Sequence, residues 1–84
     1  AGQISTEQAA QLVKDSKTIR DETIKNAEEE YNERIRVAEE LRAQGTEKSN
    51  ELADEIIKDS KTTRDKTIKD AEERHKKIVE EAKG

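Results

Sequence analysis

An isoleucine or valine returns every eleven residues along this chain, and a serine or alanine follows three positions after each. Val13, Ile24 and Ile35 keep the beat in the first half, and Ile57, Ile68 and Val79 keep it in the second. The small residues are Ser16, Ala27, Ala38, Ser60, Ala71 and Ala82. A longer copy overlies this one: Lys14–Tyr31 and Lys58–His75 lie 44 residues apart and agree at 13 of 18 positions. Eleven residues make three helical turns at about 3.67 residues per turn, so positions on this beat line one helix face. Helices sharing such a face run nearly straight or supercoil right-handed. The repeat therefore decides the architecture before any single motif does.

Composition narrows the choice further. Of 84 residues, 45% are charged and 29% hydrophobic, with no Phe, Trp, Met, Cys or Pro. Such a chain cannot fill a globular core against the entropy of ordering it. What remains is a long solvated helix or coiled coil, or a disordered polar segment. The absence of Pro and the strict period favour the helix. Seventeen basic and 21 acidic residues are interleaved, net −4, which leaves no basic face for a nucleic-acid backbone. Without cysteine there are no disulfides and no thiolate metal sites. No apolar run reaches the length of a membrane span, and no signal-peptide pattern opens the chain.

In chain order, Ile4-Ser5-Thr6 reads as a helix start, with Ser5 and Gln8 spaced for a capping box. Nothing breaks the helix before Ala43. Gly45 is the only interior glycine, and large apolar residues are missing between Leu41 and Leu52. Gly45 as a C′ residue, followed by Thr46, Ser49 or Asn50 as an N-cap, predicts a short helix–helix turn. The reading is one helical repeat segment over 1–84: a first helix over about 5–43, a turn over about 44–46, and a second helix over about 47–83. Charges four apart, such as Asp21 with Lys25, Glu30 with Arg34, Asp65 with Lys69, Asp70 with Arg74 and Glu73 with Lys77, are expected to support both helices.

Two all-α geometries fit. In an antiparallel two-helix hairpin with eleven-residue coiled-coil repeats, Val13 comes level with Val79, Ile24 with Ile68 and Ile35 with Ile57. In a continuous rod, about 120 Å long at 1.5 Å per residue, the repeat phase runs unbroken through Gly45. The hairpin is preferred because the loss of apolar residues coincides with the glycine. Its helix–helix seam is assigned to Val13, Ser16, Ile24, Ala27, Ile35, Ala38, Ile57, Ser60, Ile68, Ala71, Val79 and Ala82. Leu12, Thr23, Ile56, Thr67 and Ile78 stand just before the Ile/Val positions. One chain buries little this way, so self-association into a bundle or hairpin dimer is expected.

No catalytic, cofactor or metal residue is assigned, and no enzyme activity is expected. Glu72-x-x-His75 has the spacing of a di-metal carboxylate bundle, but Tyr31 occupies the matching position of the first copy. His75 reads instead as a half-exposed seam residue, as does Tyr31. Ser16 and Ser60 have no His within helical reach, and Glu28-Glu29-Glu30 and Glu72-Glu73 read as solvated faces. The apolar stripe is narrow and flanked by both signs of charge, which argues against membrane binding. Ile24→Asp or Ile68→Asp is expected to disrupt folding or association, and His75→Ala to be nearly silent.

Arg20-Asp21-Glu22-Thr23-Ile24-Lys25-Asn26-Ala27 with Tyr31, and Arg64-Asp65-Lys66-Thr67-Ile68-Lys69-Asp70-Ala71 with His75, resemble the helical repeats of tail tape-measure proteins of phages and prophages of Gram-positive bacteria. The likeness spans most of residues 12–82. It implies a structural spacer or ruler that meets other tail proteins, in a virion or inside a cell. Ala38-Glu39-Glu40 and Glu80-Glu81-Ala82-Lys83 also look similar to the eleven-residue coiled coils of rotary-ATPase peripheral stalks. Eleven-residue polar repeats further occur in late-embryogenesis-type protective proteins and on lipid surfaces, but Ile at every repeat argues against the former.

Overall fold

Two long runs of good helix formers, separated by a single glycine, become two helices. The computed structural model describes residues 5–83, so Ile4 of the expected helix start lies outside the described residues. Helix α1 spans Thr6–Ala43 and helix α2 spans Glu47–Lys83. They pack against each other as an antiparallel hairpin, so the continuous rod is not the form adopted. The hairpin measures 64 × 14 × 13 Å along its principal axes. Its radius of gyration is 19.0 Å, against about 12 Å for a compact chain of this length.

The ends of α1 are closed by local chemistry. Ser5 Oγ accepts from the Gln8 N–H at 3.1 Å, and Gln8 Oε1 accepts from the Ser5 N–H at 3.0 Å. This reciprocal box satisfies two amides that the helix itself leaves without partners. At the far end the Gln44 N–H donates to Leu41 O, and the Gly45 N–H to Arg42 O. Gly45 then takes φ 72°, the left-handed conformation that lets a helix stop and reverse.

The next residue starts α2. Thr46 Oγ1 accepts from the Ser49 N–H at 3.0 Å, and Ser49 Oγ accepts from the Thr46 N–H at 3.2 Å. Ser49 here plays the part usually given to Glu or Gln in a capping box. Because Ser49 takes the Thr46 amide, that amide is not needed for the outer bond of a full Schellman turn. Three residues reverse the chain.

A side chain at Gly45 would meet nothing within 4 Å, so substitution there carries only a conformational cost. Gly45→Ala is expected to lower stability by about 1 kcal/mol, with Gly45→Asn losing less because Asn tolerates this region. Thermal melting of the three chains checks this; equal stability for Ala and Gly would contradict it.

Ion pairing differs from the expected four-residue spacing. The salt bridges among the described residues join Arg20 to Asp21, Arg64 to Asp65, and Arg42 to Asp54. The first two sit at equivalent positions of the 44-residue repeat and have nearly equal geometry, at 2.9 and 3.0 Å. Both arginine side chains are about three-quarters covered. Their stems lie along the groove and their guanidinium groups meet the adjacent carboxylate. On the open faces, pairs four apart gain too little to hold two long side chains in one geometry.

Candidate interhelical seam

Six buried residues recur at intervals of eleven: Ser16, Ala27, Ala38, Ser49, Ser60 and Ala71. The seventh buried residue is Ala53, which with Ala38 is fully covered near the turn. Small side chains take the centre because they let the two backbones approach. No large side chain is fully buried among the described residues.

Of the seam residues assigned from sequence, Ser16, Ala27, Ala38, Ser60 and Ala71 are buried. Val13, Ile24, Ile35, Ile57, Ile68, Val79 and Ala82 are half-buried. The aliphatic residues therefore flank the seam and the small residues fill it. Ser49, on the buried line, and Ala53, one turn beyond it, are also buried and are not among the residues assigned from sequence. Ser49 has the eleven-residue spacing from both Ala38 and Ser60, so the signal was present; its flanking Ile/Val is replaced by Thr46.

Polar cross-links join the two helices in this register. Ser16 Oγ lies 2.7 Å from His75 Nδ1 and 3.0 Å from Val13 O. With the hydroxyl donating to the carbonyl, the oxygen accepts from the His75 ring N–H. Farther along, the Arg64 guanidinium sits 4.2 Å from the Tyr31 ring centroid, a cation–π stack across the helices. Arg42 reaches Asp54 beside the turn. This register brings Val13 level with Val79 and Ile24 level with Ile68.

Arg20, Tyr31, Arg64 and His75 each stand four residues after a small seam residue and are half-buried. Sequence reading placed His75 and Tyr31 at the seam but gave neither a partner. Of these, His75 meets Ser16 and Arg64 stacks on Tyr31 across the seam. No buried side-chain nitrogen or oxygen lacks a partner among the described residues. His75→Ala removes one part-exposed bond and leaves Ser16 bonded to Val13 O, so a loss of about 1 kcal/mol or less is expected in a denaturant melt.

Among the described residues, no three His, Asp or Glu side chains gather as a metal site would require. No helix among them is long and apolar enough to cross a membrane. No family model, curated protein or solved structure matches the chain.

Proposed function

We propose that this chain is a structural helical element, a coiled-coil spacer or oligomerisation segment whose core is completed by self-association. The observation that carries this reading is the poverty of the hairpin's own interior. Among the described residues its buried apolar side chains are four alanines, Ala27, Ala38, Ala53 and Ala71, contributing about 3 kcal/mol at roughly 0.8 kcal/mol per methyl-sized group. Meanwhile Leu12, Ile19, Val37 and Leu52 remain between 43 and 64% exposed. The accessible surface is 6795 Å², where a compact monomer of this mass would expose about 5,100 Å². That excess is what a bundle of hairpins would remove.

The unbroken eleven-residue spacing of the buried residues supports a hendecad coiled coil rather than a heptad one. Together with the likeness of Arg20–Tyr31 and Arg64–His75 to tape-measure repeats, it favours a spacing role within a larger assembly. An amphipathic lipid-surface or protective role is the competing reading, favoured by the same exposed aliphatic residues.

Sedimentation equilibrium combined with circular-dichroism melts over a hundredfold concentration range separates them. The structural reading expects a cooperative helix melt whose midpoint rises with concentration. A chain that is coil in buffer and helical only with vesicles or on drying would overturn it.

A further inference from the structure

The two broad faces of the hairpin are unlike. One carries the six Ile/Val residues of the repeat, all half-buried and interleaved with Arg20, Tyr31, Arg64 and His75. The other carries all four of the most exposed aliphatic side chains. At the open end Leu12, Ile19 and Ile78 line one groove. Toward the turn, Leu41 and Leu52 stand at multiples of eleven from Ile19, and Ile56 stands 22 before Ile78, so they fall on the same side. Val37 adjoins Ala38 at its edge. Between the clusters lie Thr23 and Thr67, both half-buried.

We infer that a second copy of the hairpin covers this second face, running antiparallel, so that the open end of each lies on the turn end of the other. The inference rests on the self-association reading above and adds the face and the direction.

Three observations select this occupant. The face extends 64 Å by 14 Å, a projected area of roughly 900 Å², so a second hairpin lying along its full length has room for the ~800 Å² of accessible surface per partner that a stable interface buries. The spacing matches: with α1 lying on α1 and α2 on α2, Leu12 meets Val37 and Leu41 of the second copy, and Ile78 meets its Leu52 and Ile56. Charge then chooses the direction. Residues 25–65, the turn half, hold 8 basic and 12 acidic residues, net −4, whereas 5–24 with 66–83 hold 9 of each, net 0. A parallel stack sets −4 against −4. The antiparallel stack sets −4 against 0 and brings Asp15, which lines the open-end groove, to Arg34 of the second copy.

The test uses the whole chain, which contains no cysteine. Gln44→Cys, at the exposed turn, carries a spin label for pulsed electron–electron distance measurement on the associated protein. The expected turn-to-turn distance is roughly 60 Å, the hairpin length. A parallel stack would give about 20 Å, two helix diameters. In parallel, Leu12→Glu with Leu52→Glu is expected to weaken self-association at least a hundredfold. The outer-face control Glu40→Gln should leave it unaltered.

A short distance, or a long one insensitive to the Leu12 and Leu52 changes, would overturn this arrangement while leaving self-association standing. Absence of association at any concentration would overturn both. Binding to phosphatidylserine vesicles that dissociates the dimer would assign the face to lipid and overturn the inference.

Discussion

Ala38→Asp is expected to abolish the cooperative melt at room temperature. Ala38 has no exposed surface and lies in the seam close to the turn. The nearest basic side chains, Arg34 and Arg42 one turn away, lie at exposed positions, and Arg42 is already paired with Asp54, so a carboxylate at the centre of a line of Ala and Ser is desolvated without a buried partner. Burying it unpaired costs about 3 kcal/mol or more. The whole hairpin, with so little interior, stands near the low end of the ~4–12 kcal/mol expected for its length. Ala38→Leu adds volume instead of charge and should cost about 1–3 kcal/mol through forced separation of the helices. The neighbouring Ala43→Asp, at an exposed position, is the comparison. If Ala38→Asp melted within a few degrees of the parent, the seam would not run through Ala38.

The second large effect concerns the flanking layers. Ile24 and Ile68 are half-buried and level with each other across the seam. Ile24→Asp or Ile68→Asp should each cost about 1–2 kcal/mol, because part of a side chain's burial is lost while the carboxylate still reaches water. That is less than the Ala38 substitution, although sequence reading gave these two positions the leading part. The double Asp variant should be destabilised by more than the sum of the two, since two like charges then face each other. Ile24→Asp with Ile68→Lys should recover part of the loss. A denaturant double-mutant cycle reads this coupling directly. Strict additivity in both pairs would mean the two residues are not neighbours.

Much of the architecture was legible because the repeat is a geometric instruction. A beat of eleven with a small residue in each unit specifies the helical face, and one glycine in an apolar gap favours a reversal there, although the same beat, unbroken through Gly45, also fits a straight rod. The capping box at Ser5 and Gln8 was equally readable, as its partners are three residues apart. Burial was harder to rank. In a globular core the largest apolar residues go deepest, and that habit puts Ile24 ahead of Ala27. With only two helices there is no third wall to cover an isoleucine, so the residue that lets the backbones touch is the buried one. The cross-links of Ser16 to His75 and Arg64 to Tyr31 escaped because each joins positions far apart in sequence. They depend on which polar side chains lean across the seam, which the level pairing of the Ile/Val positions does not state. The ion pairs failed for a different reason: charges are so frequent here that almost every residue has a candidate partner.

Because the buried line repeats every eleven residues through Ala38, Ser49 and Ser60, sliding α2 along α1 by one unit would bring small side chains back into the seam almost as before. Such a pair behaves like two rulers with the same graduations, which match at several settings. Side-chain packing alone gives these settings similar energies. What removes the ambiguity is the brevity of the tether: Gln44, Gly45 and Thr46 have no slack to let one helix advance by three turns. In this molecule the packing supplies the graduations, and the three-residue connection sets the zero of the scale.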